Sequence, residues 1–319
     1  MRILVTGGGG MVGQAVSERL TALGHQIVRL LRPASQASPG RQGGDGHSGL
    51  GDRPAAAWWD IPAGRIDLSG AGPLDAVIHL AGESLPGLWT RRKRERILAS
   101  RRDGTALLAG ALATLQPRPK ILLSASAVGY YGCGGDQVAD ESASSGDTFL
   151  SEVCRQWESA AEVARQAGIR TCHLRMGMVL SAGGGALAAM MRPFRWHLGS
   201  VIGGHQWWNW IHLADVVSAV EFLLARGDVA GAVNLVSPQP VTALEFARAL
   251  GRAMRRRVWL RMPWCIARVL LGRMGREVLL CSLQVRPGVL ERSGFAFRYA
   301  ELEQALAEEV GISGDGTAR

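Results

Sequence analysis

The first thirteen residues, MRILVTGGGGMVG, constrain the fold of this chain more than any other stretch. Residues 3–5 are apolar, which is enough for a short buried strand. The four glycines at 7–10 cannot continue that strand because they have no side chains to pack. From Met11 the apolar residues recur at helical spacing, and Gly24 supplies a stop. A strand, a glycine turn and a helix in this order predict a phosphate site, because the turn admits a pyrophosphate and the first helical N–H groups face its charge.

The glycines of this loop stand three apart, at Gly7, Gly10 and Gly13, which differs from the commoner Gly-x-Gly-x-x-Gly spacing. A glycine triplet alone is equally typical of a flexible turn, but the strand before it and the helix after it supply the context that a dinucleotide site requires. The residues predicted to bind the cofactor here are Thr6, Gly7, Gly9, Gly10, Met11, Val12 and Gly13.

The second predicted strand, at residues 26–31, bears on which dinucleotide binds. In Rossmann folds the end of this strand meets the adenosine ribose, where an acid favours NAD and a cation accommodates the 2′-phosphate of NADP. This sequence carries Arg29 and Arg32 and has no acid until Asp45. We therefore predict NADP(H) rather than NAD(H). The alternative is that both arginines merely flank a strand.

Strands predicted at 75–80, 120–126, 169–174 and 232–236 alternate with helices at 89–115, 149–168 and 215–225. This alternation indicates an α/β, Rossmann-type doubly wound parallel sheet. At the end of one strand the small pair Ala81-Gly82 would keep the floor of a cofactor cleft open. The further residues assigned to this cleft are Leu80, Ala81, Gly82, Ser124 and Arg175.

The rest of the chain departs from this alternation. Residues 33–54 are rich in Gly, Ser and Pro and predict a long surface loop. The strand–helix rhythm breaks after residue 180, helices are predicted at 242–254, 265–274 and 299–310, and a disordered tail from 311. We predict a Rossmann domain over 1–236, in which 181–212 contribute to the substrate lobe, and a small, mostly helical C-terminal lobe over 237–310.

Composition narrows the setting. Hydrophobic residues at 47% and charged residues at 20% are ordinary for a globular protein. No apolar run approaches the roughly 20 residues of a membrane helix, and the N-terminus leaves no room for a signal peptide. We therefore expect a cytoplasmic protein that does not engage membranes. The five cysteines are odd in number and lack C-x-x-C spacing, which favours reduced thiols over a disulfide framework or a metal site.

The net charge of +9 raises the question of a nucleic-acid partner. Its densest basic runs lie at 91–96 and 252–257 and are explained by solvated helix faces. The alternative, nucleic-acid binding, lacks a recognition module or an aromatic-basic alternation. We expect a small-molecule substrate, no specific nucleic acid, and a monomer or homodimer.

Several segments together carry a family resemblance. They are HLAGESLPGLWTRRKRERILASRRDGT, SASAVGYYG, FLSEVCRQWE, LRMGMVLSAGGGAL, QWWNWIHLADV and RPGVLERSGFAFRYAELEQAL. The set resembles the atypical, extended-type short-chain dehydrogenase/reductase proteins called the "epimerase family", which are NAD-dependent epimerase/dehydratase-like and end in a small domain of unknown role. The resemblance covers the whole chain apart from the insertion at 33–54.

The resemblance also implies a departure in chemistry. Active members of the superfamily use a serine and a Tyr-x-x-x-Lys pair on one helix face, where the ammonium lowers the pKa of the phenol. Here the pair positions hold Leu150 and Cys154, and one register back they hold Phe149 and Val153. The serine remains as Ser126, and Arg101 replaces an asparagine that commonly opens the next helix segment.

The candidate catalytic residues are therefore Ser126, Tyr130 and Glu83, in a cleft also lined by the tryptophans at 207–210. Tyr130 could donate a proton, or it could be a packing residue in a turn. Glu83 could be a base, or a structural carboxylate near a helix start. The predicted function is an NADP(H)-dependent oxidoreductase or epimerase of unknown substrate. The alternative is a non-catalytic dinucleotide-binding protein with a regulatory or scaffold role.

Overall fold

The computed structural model describes residues 1–32, 57–262 and 272–315. The loop predicted at 33–54, and most of the helix predicted at 265–274, lie outside the described residues. Within these described ranges, no helix is both long enough and apolar enough to cross a membrane.

The six strands of the main sheet begin and end close to the predicted positions, whereas most of the short strands outside it were not predicted. The described strands are β1 Arg2–Thr6, β2 Gln26–Arg29, β3 Trp58–Asp60, β4 Arg65–Asp67, β5 Ala76–His79, β6 Ile121–Ala127, β7 Val138–Ala139, β8 Arg170–Met176, β9 Met178–Leu180, β10 Ser200–Ile202, β11 Trp207–Trp208, β12 Trp210–His212, β13 Gly231–Leu235, β14 Val241–Thr242, β15 Leu260–Met262 and β16 Gln284–Val285. Six of them form one parallel sheet in the order β13-β8-β6-β5-β1-β2, which confirms the predicted Rossmann-type fold.

The helices cover both faces of that sheet and build the C-terminal part. They are α1 Met11–Ala22, α2 Arg91–Thr114, α3 Phe149–Ala160, α4 Glu162–Gln166, α5 Gly185–Arg195, α6 Leu213–Ala225, α7 Ala243–Ala253, α8 Gly272–Met274, α9 Gly288–Arg292 and α10 Leu302–Asp315. The single helix predicted over 149–168 is two helices, because the chain tightens into a final turn at Ala161, whose N–H bonds the carbonyl of Glu158.

The predicted disordered tail from 311 is wrong at its start, because α10 continues to Asp315. The helix buries Leu302, Ala305 and Leu306 in a cluster with Phe246 of α7. That packing outweighs Gly311, since a glycine inside a helix costs only about 1 kcal/mol. The same cluster includes Trp210, so it joins residues on both sides of position 236, and a domain boundary there stays a prediction.

The strand order of the sheet reverses at β1, which pairs in parallel with β2 on one side and with β5 on the other. In register, Ile3 pairs with Ile27 and with Ala76. The chain passes from β1 to β2 on one side of β1 and later crosses to β5 on its other side. Because these two connections run toward opposite edges of the sheet, a crevice opens at the carboxyl ends of β1 and β5. Ligands of open α/β sheets bind at such a switch point.

The prediction that the cysteines stay reduced is wrong for one pair. Cys133 and Cys281 form a disulfide, although 148 residues separate them in sequence. The fold brings their Cα atoms to 5.1 Å, a distance that permits the bond. Cys154 and Cys172 are free and buried. Among the described residues, no group of three or more His, Cys, Asp or Glu is placed to hold a metal ion.

Candidate functional site

The glycine loop between β1 and α1 is a backbone cradle with no room for side chains at two of its positions. Gly7 has a φ of 70°, and a Cβ there would lie 2.7 Å from the carbonyl carbon of Leu80. A Cβ at Gly13 would lie 2.3 Å from the carbonyl oxygen of Gly7. Gly7 therefore permits β1 and β5 to approach, and Gly13 lets α1 start close against the loop.

The N-terminus of α1 is open to a ligand. Its N-cap residue, Gly10, offers no side-chain hydrogen bond, and the first turn has no acidic residue. Gly9 and Gly10 are exposed, and the one described atom within 4 Å of a Cβ at Gly10 would be the Gly7 oxygen, at 3.4 Å. The first N–H groups of a helix attract anions, so this exposed turn fits the pyrophosphate of a dinucleotide.

Arg29, at the end of β2, lies beside this loop. Its Nε would be 3.8 Å from a Cβ at Gly8, and its side chain is exposed. Arg32 follows it and is also exposed. Arg29 therefore lies at the end of the strand that meets the adenosine ribose in Rossmann folds, and the charge of Arg32 acts on Glu83.

Beneath the loop, a buried polar chain joins β1 to β5. The Oγ1 of Thr6 lies 2.6 Å from Nδ1 of His79 and accepts the N–H of Ala81 at 3.3 Å. The Nε2 of His79 lies 2.9 Å from Oγ1 of Thr105. Thr6, His79 and Thr105 are fully buried. The Thr6 side chain therefore holds the two strands together beneath the predicted cofactor site.

Stability should fall as the pH drops from 7 toward 5. Burial, with the nearby Arg101 charge as a smaller cause, lowers the pKa of His79 from 6.5 to about 4. The folded protein holds His79 in its neutral form, whereas the unfolded chain takes up a proton near pH 6.5. The stability that His79 contributes is therefore complete above pH 6.5 and is lost as the pH falls toward the folded pKa. We expect His79 to remove about 2 kcal/mol of unfolding free energy between pH 7 and pH 5. Urea titrations of the parent and His79→Gln at both pH values measure this, and an equal pH dependence in the two proteins would contradict it.

Ser126, the predicted catalytic serine, belongs to a buried network. Its hydroxyl donates to Glu158 at 2.7 Å. Glu158 also accepts two bonds from Arg175, each at 2.8 Å, and both side chains are nearly buried. Arg175 donates to the hydroxyl of Tyr131 at 2.9 Å, and that hydroxyl donates to Asn234 at 2.7 Å. Ser126 and Arg175 are thus engaged in an ion-paired cluster that ties β6, β8, β13 and α3 together.

The other two candidates are also held by charges. The ring of Tyr130 lies under the Arg175 guanidinium, with 3.5 Å between the guanidinium carbon and the ring centroid. Glu83 accepts from Lys93 Nζ at 2.8 Å and lies 3.5 Å from Arg96 Nε. The hydrogen bond from Lys93 is the main reason that the pKa of Glu83 is lowered. A lowered pKa makes this carboxylate a weaker base.

A partly open cavity of about 320 Å³ lies past the carboxyl ends of β6 and β8. Among the described residues, its walls come from these strand ends, α3, the tryptophans of β11 and the C-terminal part, and include Arg101, Leu150, Cys154, Trp157, Trp207 and Trp208. Ser126, Tyr130 and Glu83 are not among the described residues that line this cavity, so their catalytic role stays a prediction. Trp210 is buried in the core instead.

The positions of the missing Tyr-x-x-x-Lys pair do face this cavity. Leu150 and Cys154 both line it, on one face of α3. Burial raises the pKa of the Cys154 thiol to about 11, so the thiol stays protonated and is a poor proton acceptor. Ser124, assigned from the sequence to the cofactor cleft, is fully buried, and its hydroxyl has no described partner. Sequence reasoning did not assign a role to Arg101, although its replacement of an asparagine was the available signal.

Comparison with known proteins identifies relatives over nearly the whole chain. Residues 3–235 match the model of the NAD dependent epimerase/dehydratase family, and residues 262–309 match a domain of unknown function, DUF1731. The chain is 34% identical over 306 residues to epimerase family protein Mb2239 of Mycobacterium bovis, covering 95% of this chain and 96% of that protein. It is 33% identical over 315 residues to human epimerase family protein SDR39U1, covering 97% and 100%. The crystal structure of human SDR39U1 (isoform 2) with NADPH aligns with a TM-score of 0.84 at 32% identity, covering 98% of this chain and 99% of that one.

Proposed function

This chain belongs to the NAD dependent epimerase/dehydratase family, and from that premise we propose that it binds NADP(H) and acts as an oxidoreductase or epimerase-like enzyme on a small substrate. The observation that carries the proposal is the open cradle of Gly7, Gly10 and Gly13 with Arg29 beside it. The human relative SDR39U1, solved with NADPH, supports the choice of dinucleotide.

Each part of the site would have one task. The glycine loop and the start of α1 would hold the pyrophosphate, and Arg29 with Arg32 would pair with the 2′-phosphate. Ala81 and Gly82 leave the end of β5 without bulky side chains, and the Arg101 guanidinium packs over Gly82. The bound nicotinamide would supply hydride transfer. The apolar cavity walls would exclude water from the substrate.

The proton chemistry would have to come from residues outside the missing pair. Ser126 and Tyr130 lie at the end of β6 and in the turn after it, within one or two residues of the cavity-lining Ala127, Val128 and Gly129. We keep them, with Glu83, as the proposed catalytic residues. Ser126 already donates to Glu158, which pairs with Arg175, so its hydroxyl would need to turn before it could serve a substrate.

NADPH should bind more tightly than NADH, and Arg29 should account for the difference. Arg29→Ala should weaken NADPH binding by about 1–3 kcal/mol, the contribution of a hydrogen bond to a charged group, and should leave NADH affinity unchanged. Fluorescence titration with both dinucleotides measures this, with Arg32→Ala as the second variant. Arg19→Ala is the matched control, because this exposed arginine of α1 pairs with Glu221 of α6. Equal parent affinities for NADH and NADPH would contradict the prediction.

The alternative function, a non-catalytic dinucleotide-binding protein, is favoured by one observation. Leu150 and Cys154 give the cavity an apolar wall where active members of the superfamily carry a proton relay. A screen of carbonyl compounds and sugar nucleotides that follows NADPH oxidation separates the two functions. Turnover that falls in Ser126→Ala or Tyr130→Phe supports the enzyme, and tight NADPH binding without any turnover supports the alternative.

A further inference from the structure

Arg101 of α2 is a buried charge that lacks an ionic partner in the described part of the chain. Its side chain is only 9% exposed, and no carboxylate of residues 1–32, 57–262 or 272–315 lies within salt-bridge distance of it. A buried arginine keeps its charge, and an unpaired buried charge costs several kcal/mol. Such groups are therefore paired with a counter-charge or bind a ligand.

The hydrogen bonds of Arg101 leave most of its guanidinium unused. Nη1 donates to the backbone carbonyls of Glu83 at 3.1 Å and of Ile97 at 3.2 Å. Nε and Nη2 donate to no described residue. Neither nitrogen is among the fully buried side-chain atoms that lack a partner, so both keep some accessible surface. The group stacks on the ring of Trp157 at 4.8 Å and packs over Gly82, whose Cβ would lie 3.2 Å from its central carbon. These contacts fix the fork and leave donors for a ligand.

Arg101 supplies the positive charge in the wall of the cavity, whose other described lining residues are neutral. It is the one charged residue among the described residues that line the 320 Å³ space. Asn209 also lines the cavity, but its side-chain amide already donates to the carbonyl of Leu283 and accepts from the N–H of Val285. Glu83, the acid whose charge acts on Arg101, is itself paired with Lys93 and Arg96, and the carboxylate of Glu277 accepts the N–H of the wall residue Leu150.

We propose that this cavity binds a monoanionic carboxylate with an apolar body, and that Arg101 is the residue that recognises the carboxylate. A guanidinium fork matches a carboxylate, and a single cation balances a single negative charge. The small volume and the aromatic and aliphatic walls fit a compact apolar body. This proposal rests on the proposed function, since it names the substrate class of the same site. It gives Arg101 a binding role at the position where the superfamily carries an asparagine.

The test compares carboxylates with their neutral amides. Hexanoate, phenylacetate and indole-3-acetate, each beside its amide, are titrated by calorimetry into protein with and without saturating NADPH. The parent should bind at least one carboxylate about tenfold or more tightly than its amide. Arg101→Met should abolish this preference, and Arg101→Lys should retain part of it. Arg102→Met is the matched control, because it removes a neighbouring exposed arginine that pairs with Asp103, and it should bind like the parent.

Other outcomes would overturn the proposal. These are no measurable carboxylate binding to the parent, equal binding of acid and amide, or a preference that survives in Arg101→Met. NADPH titration of the same variants separates the two uses of the charge: NADPH affinity that falls as far as carboxylate affinity in Arg101→Met would assign Arg101 to the cofactor. Failure of the parent to bind NADPH would remove the proposed function while leaving the carboxylate preference measurable on the cofactor-free protein.

Thermal unfolding distinguishes a binding role of Arg101 from a structural one, because the two roles predict opposite changes in Tm for Arg101→Met. Removing an unpaired buried charge is neutral or stabilising when an apolar side chain of similar size replaces it. Arg101→Met should therefore unfold at the same temperature as the parent or a higher one. A clear drop in Tm would show that the guanidinium holds α2 against the end of β5, and would overturn the binding role.

Discussion

Glu158→Ala is expected to lower the free energy of unfolding by about 3–5 kcal/mol, because it leaves the Arg175 guanidinium buried without its counter-charge. Two bonds of 2.8 Å join these side chains, and their exposed fractions are 5% for Arg175 and 12% for Glu158. The network also positions Ser126 and Tyr131, so its loss should loosen the end of β6. Urea unfolding followed by circular dichroism measures the change.

Two controls give this experiment its meaning. Glu162→Ala removes a carboxylate of the same region whose pair with Arg165 is exposed, and should leave stability almost unchanged. Ser126→Ala removes one hydrogen bond of the network and should cost about 1 kcal/mol. If Glu158→Ala were no more destabilising than Glu162→Ala, the cluster would not be a structural element of the fold. The hydroxyl of Ser126 would then be free for other partners.

Gly10→Val should weaken NADPH binding at least about 100-fold, or about 2.7 kcal/mol, while the protein stays folded. Gly10 has an extended backbone, with φ −85° and ψ 161°, that valine adopts readily. In the described part of the chain, the nearest atom to a Cβ there is the Gly7 oxygen at 3.4 Å, so the side chain would fill the open turn where the pyrophosphate is expected. Fluorescence titration with NADPH gives the affinity, and thermal unfolding verifies the fold.

Substitutions at two other glycines separate this effect from simple damage to the loop. Gly110→Ala on α2, where a Cβ meets nothing within 4 Å, should bind NADPH like the parent. Gly13→Ala should instead destabilise the protein, because its Cβ would lie 2.3 Å from the Gly7 oxygen. Parent-like NADPH affinity in a folded Gly10→Val protein would remove the phosphate-loop assignment.

The local parts of the fold could be read from the sequence because their causes are local. The strand, glycine turn and helix at residues 1–22 follow from hydrophobic spacing and from four residues without side chains. The alternation of strands and helices predicts the parallel sheet for the same reason, and both the predicted fold and the predicted family are confirmed. The absence of the tyrosine–lysine pair was also visible, because neither of the two registers considered for that helix holds a tyrosine or a lysine.

Only the tertiary structure decided which partners the polar side chains take. Ser126 lies 32 residues from Glu158, and Cys133 lies 148 residues from Cys281. Sequence spacing cannot predict such pairs, because they depend on which strand ends the sheet brings together. Arg101 shows the same limit: the sequence identifies it as one arginine in a basic helix, whereas the fold buries it beside Gly82 and Trp157 with no carboxylate of the described residues within salt-bridge distance. The cost of burying a charge is set by surroundings that only the folded chain supplies.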